Sequence, residues 1–222
     1  MGNGLTCIGS VDSIVNNSLE ENIRVWLGMN GWSPENKIRD MVDLVRREKP
    51  NLCVEIGTYA GRSFLPVAWA MKQNGFGIAV GIDPYCNKSC TEGWPKDQDH
   101  TGWDTNDLWP YYHEMMNMAK RQGLLDWIDV RTQKAVDVVE SFDDGTVDIA
   151  HVDGNHSELS ALVDVYSWLP KVRSGGYVWM DDVHMATTVK AVAVLDKKCQ
   201  LVKNYPDPRA GHPSWFRLYQ KV

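Results

Sequence analysis

Val54-Glu55-Ile56-Gly57-Thr58-Tyr59-Ala60-Gly61-Arg62-Ser63 decides the fold. An apolar strand ends in a glycine turn that opens a helix, and in an open α/β sheet such a turn lies at the ligand-binding edge. Gly57 allows the sharp turn off the strand, and Gly61 lets the helix start close to the sheet with N–H groups presented to an anionic group. Two familiar nucleotide loops are not matched. Tyr59 stands where G-x-G-x-x-G needs a glycine beneath a pyrophosphate, and no Gly-Lys-Ser/Thr ending follows. A nucleotide-dependent oxidoreductase is therefore the least favoured reading.

Outward from this turn, strand-like apolar runs alternate with helix-like spacing, the pattern of a parallel sheet with crossover helices. The spacing predicts strands at Leu52 to Ile56, Ile78 to Ile82, Ile128 to Arg131, Val147 to Val152 and Tyr177 to Met180. It predicts helices at Arg62 to Gln73, Asp107 to Gln122, Ala135 to Ser141, Ser157 to Leu169 and Thr187 to Lys197. An earlier helix should open at Ser33-Pro34-Glu35, with Ser33 as cap and Pro34 in the first turn, and stop at Pro50. After the last helix, Cys199 to Asn204 and Ser214 to Lys221 flank a Pro/Gly-rich turn, so the sheet should close with an antiparallel hairpin. Residues 1–32 read as an N-terminal arm or lid with a short amphipathic helix around Leu19 to Leu27. Residues 33–222 read as one domain with an insertion at 84–110.

The chain has 222 residues, with 29 acidic and 23 basic side chains and a net charge of −6, which disfavours nucleic acid and anionic membranes as partners. No apolar run reaches the ~18 residues of a membrane span. Five scattered cysteines and an N-terminus without an apolar signal core lead us to expect a reducing, cytoplasmic setting. Cys86, Cys90 and His100 suggest a zinc site only weakly, because a second ligand pair is missing. Ten Trp against four Phe is the oddity of the composition.

Gly81-Ile82-Asp83 ends the second strand with a carboxylate able to accept both hydroxyls of an adenosine ribose. His151-Val152-Asp153-Gly154-Asn155-His156 ends the fourth strand, and Tyr177-Val178-Trp179-Met180-Asp181-Asp182 ends the fifth. Asp153, Asp181 and Asp182 thus arrive at one sheet edge, where unpaired carboxylates would repel one another unless a cation joined them. Oxygen ligands alone favour Mg²⁺, Mn²⁺ or Ca²⁺ over zinc. His156, beside this cluster, is placed to take a proton from a hydroxyl group. His184 reads as a loop residue, His151 as a buried strand histidine, and Asp148, at the opposite edge, as structural.

Together these motifs resemble class I S-adenosylmethionine-dependent methyltransferases. The likeness is to the macrocin-type, cephalosporin-hydroxylase-like family, with its fourth-strand His-Ile-Asp-Gly-x-His-Ser and a downstream Gly-Gly-x-x-x-x-Asp-Asp. It covers about Lys37 to Leu201. The loop from Glu55 to Ser63 is also similar to that of catechol O-methyltransferase. The resemblance implies a Rossmann-like, mostly parallel seven-stranded sheet with the last strand antiparallel and helices on both faces. It implies S-adenosyl-L-methionine as cofactor, held by Glu55, Gly57, Tyr59, Gly61, Ser63 and Asp83. Lys134 and Ala135 stand where small residues usually border the adenine. It further implies a metal, Mg²⁺ or a similar ion, on Asp153, Asp181 and Asp182, with His156 in the slot of the catalytic Lys.

The expected chemistry is in-line methyl transfer to the oxygen of a small hydroxylated sugar or aromatic molecule. Tyr85, Trp94, Trp103 and Trp109 in the insertion, interleaved with Asp97, Asp99, Asp104 and Asp107, offer flat faces for such a substrate, or else an interface for a second copy of the chain. Two alternatives stay open: a metal-independent N-methyltransferase, and a non-catalytic binding module on the same fold.

Overall fold

The computed structural model describes residues 17–95, 103–207 and 212–222. In chain order it runs α1 (Leu19–Leu27), α2 (Glu35–Glu48), β1 (Leu52–Ile56), α3 (Phe64–Asn74), β2 (Ile78–Ile82), α4 (Asn87–Thr91) and α5 (Trp109–Arg121). It continues with β3 (Ile128–Arg131), α6 (Ala135–Val138), β4 (Val147–Val152), α7 (Glu158–Trp168), β5 (Val172–Met180), α8 (Val189–Lys198), β6 (Cys199–Asp207) and β7 (His212–Lys221). The strands form one seven-stranded sheet in the order β3-β2-β1-β4-β5-β7-β6. The first five strands pair in parallel, and β7 lies antiparallel between β5 and β6. This is the Rossmann-like α/β fold expected, with its closing hairpin.

Alternate strand residues feed two cores, as a pleated sheet covered on both faces requires. Cys53, Ala79, Ile149 and Trp179 pack against α2, α3 and α5. Val54, Ile56, Val80, Ile82 and Val178 pack against α6, α7 and α8. Helix α1 joins the first core through Ile23 and the fully buried Trp26. Trp26 meets Trp69 edge-on at 5.9 Å and donates through Nε1 to Gln122 Oε1 at 3.1 Å. Each such burial contributes about 1.5–3 kcal/mol.

Several boundaries differ from expectation. Pro34, not Ser33, caps α2, because its extended backbone (φ −77, ψ 163) is that of a cap residue. Strand β5 begins five residues early, its Val172 pairing with Val147 across an irregular register. The predicted helix at Ala135 to Ser141 is one α-helical turn followed by the 3₁₀ turn Val139–Ser141. Short α4 lies in the insertion, where no helix was expected; residues 96–102 of the insertion, with Asp97, Asp99 and His100, lie outside the described residues. None of the helices among the described residues is long and apolar enough to cross a membrane.

The parallel register sets up the site. Ile56 pairs with Ile82 and Val152, and Val152 pairs with Met180. One residue beyond these pairs, Asp83, Gly57, Asp153 and Asp181 stand in a row along the carboxyl edge of four adjacent strands. Backbone bonds extend the ladder through them: Gly57 N–H donates to Ile82 O (2.8 Å), Asp153 N–H to Ile56 O (2.9 Å) and Asp181 N–H to Val152 O (3.1 Å).

Candidate active site

A cavity of about 660 Å³ opens over that edge. Its floor is the β1 turn, where Gly57 has φ +84 and a Cβ would stand 1.9 Å from the Asp153 carbonyl oxygen. Only glycine fits there, and the turn and the metal-candidate strand end are pressed together. Gly61 (φ +83) does not line the cavity; a Cβ on it would meet Met115 of α5 at 2.5 Å, so its smallness serves packing.

The predicted cofactor residues divide accordingly. Gly57, Tyr59, Ser63, Asp83, Lys134 and Ala135 line the cavity, whereas Glu55 lies beneath it. Glu55 Oε1 accepts from the Ser63 hydroxyl at 2.7 Å, and its Oε2 lies 3.1 Å from His151 Nδ1. Glu55 therefore acts on the site through Ser63 and His151, because side chains alternate along a strand and its own points into the layer below. Asp83 is buried, and its two oxygens accept the Tyr59 and Tyr85 backbone amides at 2.9 Å each. These bonds tie the turn after β1 to the end of β2.

Among the described residues Asp153, Asp181 and Asp182 do not form one ligand group: Asp153 joins Asp181 and His151 on one side and Asp182 and His156 on the other, and Lys37, absent from the sequence expectation, stands beside Asp181. Lys37 of α2 is buried, and its ammonium bonds Asp181 Oδ2. His151 Nε2 lies 3.3 Å from the same oxygen. Burial opposes the charge on Lys37, but Asp181, Asp153 and Glu55 outweigh it and keep the ammonium protonated. Burial and Lys37 likewise oppose a proton on His151, yet Glu55 and Asp181 raise it to about 9. Burial would also raise Asp181, but Lys37 and His151 hold it well below the usual carboxylate range. Lys37 falls on the apolar face of an amphipathic helix, at the spacing of Met41 and Leu44. A lysine there is a signal that could have found it, since such burial needs a partner.

Asp153 and Asp182 face the other side of the cluster. His156 Nε2 lies 3.0 Å from Asp182 Oδ2 and 3.8 Å from Asp153 Oδ1. Burial disfavours the charged imidazole, but Asp182 and Asp153 raise it to about 10. The ring thus stands at neutral pH as an imidazolium between two carboxylates, where the sequence reading expected a base titrating near neutrality. Asp153 is pushed up to about 7 by burial and by Asp181, against the pull of His156 and Lys37. Asp182 holds the left-handed backbone (φ 51), an uncommon conformation for a non-glycine residue. Ligand atoms of His151, Asp153 and Asp181, and of Asp153, His156 and Asp182, form two groups each lying within 4.8 Å. Cys86 and Cys90 belong to neither, and both are unbridged.

Of the insertion aromatics, Trp94 and Trp103 line the cavity and Tyr85 and Trp109 do not. Trp94 stacks on His156 with ring centroids 6.0 Å apart, and its Nε1 donates to Asn155 Oδ1 at 2.9 Å. Tyr85 is buried, its hydroxyl bonded to Thr58 Oγ1 (2.9 Å) and Tyr59 O (2.8 Å), and Trp109 stacks over it from outside. Neither lies on the cavity wall where a substrate contact was expected: Tyr85 braces the β1 turn, and Trp109 packs on Tyr85. In their place the fold brings Trp32, 56% exposed, against Tyr59 (5.5 Å) and Trp103 (5.8 Å). Trp32 lies outside the insertion, so no local pattern linked it to the site. His184 is exposed at the cavity rim. Asp148 accepts from the Asn51 and Leu52 amides and from Arg173 at the far edge, as a structural residue should.

A family model described as a methyltransferase domain matches residues 54–183. The uncharacterized protein y4gI of Sinorhizobium fredii is 25% identical over 142 residues, which is 64% of this chain and 14% of that protein. The chain thus spans about a seventh of the length of that relative. Solved structures share the fold. An O-methyltransferase from Bacillus cereus in complex with S-adenosylhomocysteine superposes with TM-score 0.60 at 16% identity, over 91% of this chain and 88% of the other. The O-methyltransferase TomG of Streptomyces achromogenes, involved in tomaymycin synthesis and in complex with S-adenosylmethionine, gives 0.61 at 16% identity, over 86% and 82%. A Podospora anserina methyltransferase bound to S-adenosylhomocysteine gives 0.62 at 15% identity, over 94% and 89%.

Proposed function

The chain belongs to this methyltransferase-domain family, and from that premise we propose that it moves the methyl group of S-adenosyl-L-methionine to a hydroxyl oxygen of a small molecule, assisted by a divalent cation. The observation that carries the reading is the row Asp83, Gly57, Asp153, Asp181 along one strand edge beneath the cavity. It puts a ribose-type acceptor, a close-approach turn and a hard-oxygen cluster side by side.

The residues fit both absent groups. Gly57 lets the β1 turn lie against the Asp153 backbone beneath the cavity, Asp83 borders the cavity from the next strand, and Tyr59 lines it from the turn. At the cluster, Asp181 Oδ1 is buried without a hydrogen-bond partner, while its other oxygen is held by Lys37 and His151. Asp153, which the two ligand groups share, would hold a cation such as Mg²⁺ together with Asp181 on one side or Asp182 on the other. Bound there, it would compensate the carboxylates that otherwise keep His156 protonated and favour the ionised form of an acceptor hydroxyl.

The chain's own residues then orient and deprotonate. Trp94 fixes the His156 ring by stacking, and Asn155 fixes Trp94. Nε2 of His156 is the atom we assign to receive the hydroxyl proton. Trp32, Trp103 and Tyr59 form an aromatic wall suited to a flat or ring-shaped acceptor. Asp104 and Asp107 stand beside that wall in the sequence.

Calorimetry tests the reading. S-adenosylhomocysteine should bind with one site per chain, and Mn²⁺ should bind wild type but not Asp153→Ala. Absence of S-adenosylhomocysteine binding would remove the methyltransferase assignment for this cavity. One observation favours a second reading, transfer without a metal: Lys37, His151 and His156 already supply cations to the same carboxylates. Methylation undiminished in excess chelator would select it.

A further inference from the structure

Asp164 of α7 is a cavity-lining carboxylate that the site described so far does not use. It is 8% exposed and borders the same cavity as Ile56, Ile82 and Ala135. The other carboxylates of the cavity wall have partners: Asp83 the Tyr59 and Tyr85 amides, Glu92 the Lys134 ammonium, Asp181 Lys37, and Asp153 and Asp182 His156. Among the described residues none donates to the side chain of Asp164. Burying such a group without a donor is unfavourable, so a carboxylate kept in this state points to a donor that arrives with a ligand.

Its surroundings narrow that donor. A Cβ on Gly154 would come within 3.0 Å of both Asp164 Oδ2 and the Ile56 side chain, so the missing side chain at Gly154 keeps the carboxylate open to the cavity. Asp164 therefore lies beside the strand ends of β1 and β4, next to Ile56, and shares the cavity wall with Ile82 and Val163, apolar residues suited to a flat ring. The turn after β3, Thr132-Gln133-Lys134-Ala135, contains no carboxylate, and its Lys134 is engaged with Glu92 at 2.5 Å.

We propose that Asp164 reads the adenine ring of the cofactor by accepting a hydrogen bond from its 6-amino group. This rests on the S-adenosylmethionine reading above. A carboxylate accepts and cannot donate, so a ring with a 6-oxo group in that place would meet it acceptor to acceptor. Asp164 thereby sets which nucleoside the cavity takes, while Asp83 and the β1 turn hold parts that all such nucleosides share.

Titration calorimetry at about pH 8.5, above the value of about 7 to which burial raises Asp164 and so with its side chain ionised, compares S-adenosylhomocysteine with its 6-oxo analogue S-inosylhomocysteine on the full chain. Wild type should bind the adenosyl compound roughly 10- to 100-fold more tightly, the range of a hydrogen bond to a charged group. Asp164→Asn should lose most of that preference, with an unliganded melting temperature no lower than that of wild type, which a merely structural role would not give. Equal affinity of wild type for the two compounds overturns the proposal without any variant, as does an Asp164→Asn or Asp164→Leu protein that keeps the wild-type preference. If wild type binds neither compound, the cofactor reading itself fails and the proposal with it. Binding of the adenosyl compound without discrimination removes only the role of Asp164.

Discussion

Lys37 Nζ and His151 Nε2 stand 3.1 Å apart, and both face the same oxygen of Asp181. Two cations meet one carboxylate at the cavity wall, where Lys37 and Asp181 both stand, and Glu55 completes the set from the layer beneath. Removing one member leaves the others uncompensated in a water-poor layer. Lys37→Met should therefore lose about 3 kcal/mol of stability, the usual consequence of breaking a buried ion pair from one side. Urea unfolding reads the loss; an unchanged midpoint would show that the network contributes nothing.

Asp153 lies between this network and His156. Asp153→Asn keeps the shape and removes the charge, so S-adenosylhomocysteine affinity should hold while methyl transfer falls on the order of 100-fold, as for other lost electrostatic groups. Parallel calorimetry and a radiolabelled methyl assay over a panel of hydroxylated rings separate the two quantities. Equal loss in both would make Asp153 a cofactor contact instead.

Gly57→Ala should be far more damaging than its size suggests. The added carbon meets backbone, not a flexible side chain, and φ +84 is itself strained for alanine. We expect a loss of at least ~2 kcal/mol together with loss of cofactor binding, because the backbone that must yield is that of Asp153. Thermal melting with and without S-adenosylhomocysteine measures both.

Trp94→Ala removes the stack on His156 and the bond to Asn155. An aromatic contact of this kind is worth about 0.5–1.5 kcal/mol, so the KM of the methyl acceptor should rise up to roughly tenfold with cofactor affinity unchanged. A matching change in S-adenosylhomocysteine affinity would place Trp94 on the cofactor side.

Burial raises the Asp164 carboxyl from 3.8 to about 7. Between those values the folded chain holds a proton that the unfolded chain has released, so this residue's contribution falls as pH rises from about 4 to 7 and is level above. Asp164→Asn should accordingly be more stable than wild type at pH 8, by on the order of a few kcal/mol, with the gap closing toward pH 5. Melting curves of the two proteins across that range test the sign.

Much of the fold was legible because its signals are local. Leu52–Ile56, Ile78–Ile82, Ile128–Arg131 and Val147–Val152 are strands at the expected bounds, each an apolar run closed by turn residues. The far end of β5 was missed because Arg173-Ser174-Gly175 lacks a strand pattern, and pairing near β4 alone extends it. The acidic cluster was legible from its position at strand ends. Trp32 and Asp164 were not: each is an ordinary residue on a loop or helix, and its importance lies in what faces it from distant sequence, while Lys37 left only the signal of a lysine on an apolar helix face, with its partner unreadable.

The sequence by itself determined an alternating α/β sheet with a closing hairpin, a glycine turn after the first strand, and carboxylates ending the second, fourth and fifth strands. Periodicity and turn chemistry act within a few residues, so they can be read without coordinates. Only the tertiary structure decided that Asp83, Gly57, Asp153 and Asp181 share one row, that Lys37 and His151 neutralise Asp181, and that Tyr85, with Trp109 packed on it, braces the turn from outside the cavity. Those outcomes depend on strand register and helix packing. Charge and burial then act across space on residues more than a hundred positions apart, as between Lys37 and His151.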